Sequence, residues 1–545
     1  MKKINKNLLY IASLIVFVLN TSSCVDDLNV TPISPQSSQK FVQNEVFAKT
    51  YASFALTGQE GAAGNNDIDI TDEGRFSLYR CLWNCNELST DEAVCSWGDG
   101  EVVELNTNSW SALNQGSEGL YARLYFIVSI SNHFLEQTAT LQNDSTLKQR
   151  AEVRFLRALA YYYLMDYFGN VPFTETISAD APHQIQRADL FKYIEKELTE
   201  CEANMYEPLK APYYRVDKVA NWLLRSKLYL NAAVYTGSPR WSDAAIYAKK
   251  VMDSGYKLNP SYKHLFMADN AGTLDKSSLN TAPQEIIFPI AADGVKTKSW
   301  GSSLFLIAST HKTGMKPWGT TEQWSGNRAR ATLVKKFFPS LIFVTDKSDL
   351  TTGATAAYKD DRAMFYGASD RTLSISAIGK FTEGYSVTKF SNIRADGGTT
   401  SDTQFPDTDI PLFRAAEAYL NYAEAIFRTD SATNSAEALK VINDLRARSH
   451  AKALTSISKS VILDERAREF FFEGHRRTDL IRFGYFGGST YTWDWKGNSA
   501  TGMAIDPLTS LPTTKPFILD AKYNLFPIPS GDLNSNSNLV QNPGY

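Results

Sequence analysis

The chain has 545 residues, enough to bury a large core and, on length alone, to form about two to four domains. Its 56 Lys and Arg nearly balance 59 Asp and Glu, with no basic stripe, which argues against an electrostatic nucleic-acid binder. Aromatic residues are abundant, with 27 Tyr, 30 Phe and 10 Trp; most serve a core, and a minority can form a stacking surface, because Tyr and Trp favour sites that are half apolar and half wet.

Taken in chain order, the first element is a targeting segment. Lys2, Lys3 and Lys6 precede an apolar run from Leu8 to Leu19 that is too short for a relaxed membrane span and reads as a secretory signal. It ends in Thr21-Ser22-Ser23-Cys24. Small residues before a first cysteine resemble the lipobox of bacterial lipoproteins, although Leu three before the Cys and Gly or Ala just before it are absent. Val25-Asp26-Asp27 resembles the surface-export signal of Bacteroidetes lipoproteins. The expectation is a signal peptide over 1–23, an acylated Cys24, and a tether over 24–40 that contains Pro32 and Pro35. Ordinary signal cleavage with a free Cys24 is the alternative. No later segment is long and apolar enough to span, so the expected state is anchored rather than spanning.

Four helical stretches carry the predicted fold. Lys148 to Phe168 places Val153, Leu156, Ala160, Tyr163 and Tyr167 on one face and stops at Gly169. Asp217 to Val234 and Ser242 to Ser254 form a helix, turn and helix with small residues at the crossing points, similar to a tetratricopeptide unit. A third stretch repeats the plan, with Leu412, Ala416, Leu420, Ala423 and Phe427 on one helix and Ala438, Ile442 and Leu445 on the next. There Asn434 and Glu437 suggest a capping box. The fourth runs from about Leu463 to Phe483. Between them lie insertions at 41–120, about 260–405 and 487–520, rich in Gly, Ser, Thr, Asn and Asp, and long loops of this kind are usually functional. The predicted architecture is mostly α: a single domain over 41–545, with tetratricopeptide-like helix pairs forming a scaffold interrupted by loop-rich insertions.

The sequence offers little for catalysis. It has no nucleophile elbow, P-loop, dinucleotide fingerprint or zinc-protease motif, and its six histidines are scattered. Cys81, Cys85, Cys95 and Cys201 lack the further ligands that structural zinc wants, and read as buried thiols or one disulfide. A glycosidase needs two carboxylates facing one bond; Glu87, Asp91 and Glu92 are the candidates, and a hydrogen-bonded loop is the competing reading. Glu473, His475 and Asp479 sit in a run of alternating Arg and Glu that describes a helix tied to its neighbours by ion pairs. What remains is tryptophan in polar loops: Trp97 before Gly98-Asp99-Gly100, Trp300 before Gly301, and Trp324 before Ser325-Gly326. A flat indole can cover the apolar C–H face of a pyranose while nearby polar side chains bond its hydroxyls.

Longer stretches carry a resemblance. Arg150-Ala-Glu-Val-Arg-Phe-Leu-Arg-Ala-Leu-Ala160, Leu412-Phe-Arg-Ala-Ala-Glu-Ala-Tyr-Leu-Asn-Tyr-Ala-Glu424, Glu473-Gly-His-Arg-Arg-Thr-Asp-Leu-Ile-Arg482 and the ending Gln541-Asn-Pro-Gly-Tyr545 resemble the SusD/RagB family of nutrient-binding outer-membrane lipoproteins. Asn84-Cys-Asn-Glu-Leu88, Gly294-Val-Lys-Thr297 and Tyr491-Thr-Trp-Asp-Trp-Lys-Gly497 tighten the match to the starch-binding member for which the family is named. The resemblance implies a SusD-like αα superhelix and no enzymatic activity. It also implies an aromatic arc of Trp97, Trp300 and Trp324 for starch or maltooligosaccharides, with Asp72, Arg80 and Asp99 as polar contacts. It further implies lipid anchorage at the outer-membrane surface through Cys24 and a SusC-like TonB-dependent transporter as partner. No cofactor is expected beyond an optional structural calcium ion, to which the sequence assigns no ligands. Cys95 and Gly100 depart from the family pattern, which opens the exact glycan to change. The rival expectations are another glycan on the same fold, a surface glycoside hydrolase using Glu87 or Asp91, and a protein-interaction scaffold.

Overall fold

Polar residues at helix starts and apolar residues at helical spacing set out the scaffold in the computed structural model. It describes residues 41–545 except 63, 71–73, 278, 317, 339–358, 368–370, 507 and 510. The expected signal peptide, Cys24 and tether lie outside the described residues, as does Asp72. Residues 47–545 cluster as one compact unit.

The helices used below are α1 (Gln43–Ala55), α2 (Leu78–Trp83), α3 (Gly100–Thr107), α4 (Gln115–Gln137), α5 (Asp144–Phe168), α6 (Arg187–Cys201), α7 (Lys218–Leu230), α8 (Trp241–Met252), α9 (Ser303–Ala308), α10 (Ala415–Thr429), α11 (Ser431–Arg448), α12 (Lys459–Phe470) and α13 (Arg476–Arg482). Side-chain oxygens of Asn114, Asn143, Asp217 and Ser458 accept amide hydrogen bonds at the starts of α4, α5, α7 and α12. Each satisfies donors that a helix start leaves without an intrahelical partner. α5 ends at Gly169, whose φ of +74° suits glycine. α4 packs on α5, α5 on α6, α6 on α7, α7 on α8, α8 on α10 and α10 on α11. This continuous stack of helix pairs is the scaffold that the periodicity predicts.

The helices bury more than an amphipathic stripe. In α5 Val153, Leu156, Ala160 and Tyr167 are buried as expected, and so are Glu152 and Arg157 on other faces. These charges are paired: Arg157 meets Glu197 at 2.8 Å, and Glu152 takes Arg215. Charges taken out of water need such partners.

Three boundaries differ from the sequence reading. Leu412 lies on a strand, β4 (Ile410–Arg414), antiparallel to β2 (Ile286–Ile290). Pro411 cannot donate inside a helix, and α10 begins only at Ala415. The capping box at Asn434 is not used. α11 starts four residues earlier than Asn434 would place its cap, because Asp430 accepts the amides of Ala432 and Thr433, and Asn434 donates instead to the Ile426 carbonyl. The stretch from Leu463 to Phe483 is two helices, α12 and α13, broken where Phe472 and Gly474 take φ of +63° and +80°. The amides of Gly474 and His475 both donate to Glu87 Oε1, so a buried carboxylate holds the break open. The segment 41–120, read as loop-rich, also contains α1, α2, α3 and the start of α4.

Among the described residues no helix is long and apolar enough to cross a membrane.

Candidate functional site

The site grows from a short antiparallel pair, β1 (Ala93–Cys95) with β3 (Asn327–Ala329), which joins two insertions more than two hundred residues apart. Just beyond the pair, the Ser96 amide donates to the Gly326 carbonyl at 3.1 Å and the Ser96 hydroxyl to Ser325 O at 2.5 Å. On the other side, the turn Trp324-Ser325-Gly326 is pinned to the end of α9 and the residues after it. Trp324 N donates to Ala308 O, Ser325 N to His311 O and Gly326 N to Ser309 O. The Trp97 indole N–H then donates to the Trp324 carbonyl at 2.9 Å. The three amides of the turn are thus held by backbone carbonyls, and its carbonyls by Ser96 and the Trp97 indole.

The three tryptophans come together in an order that the sequence does not reveal. Trp324 is the middle ring. Its centroid lies 6.4 Å from Trp97 with planes at 54°, and 6.2 Å from Trp300 with planes at 42°. All three side chains are half-buried. Phe405, at 4.9 Å, backs Trp300, and Phe305, at 6.3 Å, backs Trp97. The Trp324 indole N–H donates to Glu322 at 2.8 Å, whose other oxygen accepts from Gln404 at 2.7 Å. Successive tilts between fixed rings make a bent platform rather than a flat one.

Glycine permits the close packing behind it. A Cβ on Gly326 would stand 2.5 Å from the Trp97 indole, and one on Gly74 would stand 2.7 Å from the Trp300 Cβ. Ser77 donates to the Gly301 carbonyl at 2.9 Å, fixing the chain just after Trp300. Two buried arginines, neither ion-paired to a carboxylate among the described residues, hold the strand pair. Arg328 donates to the carbonyls of Gly326, Ile378 and Glu383, and Arg330 to those of Ala93, Asn106 and Asp494. Burial lowers both guanidinium pKa values to about 10.

The expected polar contacts are placed unequally. Arg80 is buried beneath the arc, its guanidinium 5.1 Å from the Trp97 ring and 4.9 Å from Phe305. Asp99 is half-exposed beside Trp97 in sequence, paired with Arg75 at 3.2 Å; Arg75 also binds Glu101. Glu322 touches the platform directly and Gln404 supports it through Glu322; no sequence motif marks either, and the bond between them joins residues 82 apart. Cys95 is fully buried in β1, with its amide donating to Asn106 at 3.0 Å, and burial pushes its thiol up to about 12. It is a core residue. Gly100 is exposed at the first position of α3. Cys81, Cys85, Cys95 and Cys201 are all free, buried thiols.

The carboxylates singled out for hydrolysis face inward. Glu87, Asp91 and Glu92 are at most 1 % exposed. Asp91 is held by Nε and Nη2 of Arg476, at 2.7 and 2.8 Å, and by the Tyr491 hydroxyl at 2.5 Å. Burial raises Glu87 to about 7 despite the amides that hydrogen-bond it. Glu473 binds Arg414 and Lys389, and Asp479 binds Arg466 and Arg482. His475 is half-buried, and desolvation drives its pKa well below the usual imidazole value. These groups build a core, as the alternation of Arg and Glu predicts.

Among the described residues, no three His, Cys, Asp or Glu side chains converge as a ready metal cluster. Asp275 nonetheless feels the charge of Asp407, and Asp409 that of Asp275. Burial and then the Asp407 charge raise Asp275 to about 6, and burial with the Asp275 charge raises Asp409 well above the carboxylate range. Among the described residues Asp407 Oδ1 is buried with no hydrogen-bond partner, and Asp409 Oδ2 is buried near the Tyr213 and Tyr214 hydroxyls. Hard, oxygen-only donors with spare lone pairs and mutual repulsion suit a calcium ion.

Residues 311–545 match the SusD family, and residues 80–248 match a SusD-like family described as starch-binding and associating with the outer membrane. Over 99% of both chains, the sequence is 42% identical to the starch-binding protein SusD of Bacteroides thetaiotaomicron. A SusD-like carbohydrate-binding protein of Bacteroides fragilis superposes with a TM-score of 0.68 at 20% identity, covering 93% of this chain and 99% of that one. Surface glycan-binding protein A of Bacteroides thetaiotaomicron, solved with laminarihexaose, gives 0.63 at 17%, covering 92% and 98%. Whole-length identity, family matches at both ends and the shared helical scaffold agree: the chain belongs to the SusD family.

Proposed function

We propose that this protein is a non-catalytic glycan binder of the cell surface, that its ligand is starch or a related α-1,4-glucan, and that it passes maltooligosaccharides to a TonB-dependent outer-membrane transporter. The observation that carries the reading is the bent row of half-buried rings Trp97, Trp324 and Trp300. A curved row complements a curved chain, and the helical α-1,4-glucan presents its sugar faces along such a curve. At about 25 cal/mol per Å², covering one sugar face is worth roughly 1–2 kcal/mol. Three platforms sum to about 3–6 kcal/mol, which before the costs of binding corresponds to a Kd between about tens of micromolar and several millimolar, weak enough for release to a transporter. Arg80 beneath Trp97, Asp99 near it, and Asp72 are the proposed polar contacts.

The starch-binding relative at 42% identity supports this ligand, and the laminarihexaose complex of a structural neighbour supports a glycan as the ligand class. A hydrolase reading has less support, because Glu87 and Asp91 are shut in the core. Attachment to the outer membrane through an acylated Cys24 is part of the same proposal. So is a structural calcium ion held by Asp275, Asp407 and Asp409.

Affinity electrophoresis of the soluble protein, lacking the segment through Cys24, tests the reading. Gels contain amylopectin, dextran, β-glucan or fructan, with a Trp97→Ala/Trp300→Ala/Trp324→Ala variant alongside. Retention by amylopectin alone, lost in the variant, is expected. Retention by another polymer replaces the ligand, and retention by none sinks the proposal.

A further inference from the structure

On the helical scaffold, away from the tryptophan arc in sequence, α8 and α10 leave an open groove of about 740 Å³ between them. Two aromatic side chains line it, Trp222 from α7 and Tyr422 from α10, both half-buried. Both are held from behind. The Trp222 indole N–H donates to Glu202 at 2.8 Å, and the same carboxylate binds Arg225 at 3.0 Å. The Tyr422 hydroxyl donates to Glu437 at 2.6 Å. Ala245 and Ile426 also line the groove, and Ile246, itself 54 % exposed, adds a further apolar side chain. Lys249, Lys250 and Asp253 supply polar groups to it. Lys249 and Asp253 neutralise each other in an ion pair, and the Lys250 ammonium stands 5.5 Å from the Trp222 ring.

This is the composition of a small-ligand site: concave, mainly apolar, aromatic, with a few polar groups. We infer that the groove is a second saccharide site, in which Trp222 and Tyr422 cover sugar faces while Lys250 and Asp253 bond hydroxyls. The inference rests on the reading of the protein as a glycan binder. The largely self-neutralised rim favours an uncharged sugar over an acidic peptide, whose binding would need a surplus of cations there. Two rings cover fewer sugars than three, so the second site is weaker, at about millimolar Kd. A polymer long enough to reach both sites gains avidity without any new contact.

Calorimetric titration of maltotriose and maltoheptaose into four proteins tests this: wild type, the triple tryptophan variant of the arc, Trp222→Ala/Tyr422→Ala, and the two sets combined. The triple variant is expected to keep millimolar binding that the combined variant loses. Trp222→Ala/Tyr422→Ala alone should weaken retention on amylopectin gels several-fold and leave the tighter calorimetric site unchanged. Ile246→Arg, at an exposed position, should block the groove without disturbing the core, and reproduces the effect if the double variant unfolds. Complete loss of binding in the triple variant, with wild-type retention after Ile246→Arg, overturns the second site and leaves the arc standing. Residual binding by an acidic peptide that salt abolishes, with none by oligosaccharide, also overturns it. If wild type binds a different glycan, the titration is run with oligomers of that glycan; if it binds none, both proposals fall together.

Discussion

At Gly326 the backbone passes against the face of Trp97, and the absence of a side chain there decides where the ring can lie. An alanine would put a methyl 2.5 Å from the indole. The ring has to move, since the Gly326 amide and carbonyl are both bonded to neighbouring backbone. Gly326→Ala is therefore expected to displace one platform and weaken amylopectin retention about tenfold, the equivalent of one sugar face. The thermal midpoint should move far less than the retention does. The arc also predicts a ranking. Trp324 neighbours both other rings, whereas Trp97 and Trp300 each sit beside one member of the arc. Trp324→Ala leaves a gap that a bound chain must bridge, and should cost more affinity than Trp97→Ala or Trp300→Ala. Its backbone carbonyl still accepts the Trp97 N–H in the variant, so the loss reports the missing ring. Titration with maltoheptaose separates the three.

At the scale of elements, the arginine-rich helix α12 works by joining strand β4, helix α11 and the turn before α13. Arg414 at the end of β4 reaches Glu285 at 3.0 Å, Glu469 at 2.7 Å and Glu473 at 2.7 Å, and Arg448 on α11 also binds Glu285 and Glu469. All of these side chains are nearly excluded from solvent. Removing one cation leaves buried carboxylates uncompensated, so Arg414→Ala should destabilise by about 3–5 kcal/mol in urea unfolding. The alternation of Arg and Glu in 464–479 made this network legible in the sequence, as helical periodicity did the scaffold and glycine flanks did the half-buried loop tryptophans. The break between α12 and α13 was not legible, because it depends on Glu87, 387 residues from Gly474. The start of α11 was misread because Asp430 and Asn434 both offer a capping oxygen, and local spacing alone does not choose between them. The order of the three rings was hidden for the same reason as the break. It follows from the pairing of β1 with β3, and no local pattern encodes which distant loops meet.

Over the whole molecule, buried carboxylates fall into two groups that pull stability in opposite directions with pH. Nearby arginines hold Glu469 and Asp479 well below the usual range despite their burial. The folded state releases those protons before the unfolded state does, so their contribution is present at neutral pH and lost as pH falls through their folded pKa values. Glu87 at about 7, Asp275 at about 6 and Asp409 behave in the reverse sense. Between the unfolded carboxylate value and the raised folded one, the native protein keeps a proton that the unfolded chain has given up, so stability declines as pH rises through that window. The thermal midpoint should therefore peak in mild acid and fall between about pH 5 and 7.5. Two interventions divide the fall between its causes. Glu87→Gln keeps an oxygen for the amides of Gly474 and His475 but carries no charge, and should recover about 3 kcal/mol at pH 8. The proposed calcium ion is expected to act on the other cluster: a cation bound near Asp275, Asp407 and Asp409 would offset the charge repulsion on Asp275 and Asp409 and favour the ionised forms. Millimolar calcium should raise the midpoint at pH 8 and hardly change it at pH 5, where protons compete for the same oxygens, and a chelator should reverse the gain. Scanning calorimetry of wild type, Glu87→Gln and Asp409→Asn across pH 4.5–8, with calcium and with chelator, reads both effects. A calcium increment that survives Asp409→Asn unchanged would move the ion elsewhere, and a Glu87→Gln profile parallel to wild type would place the pH dependence in other groups.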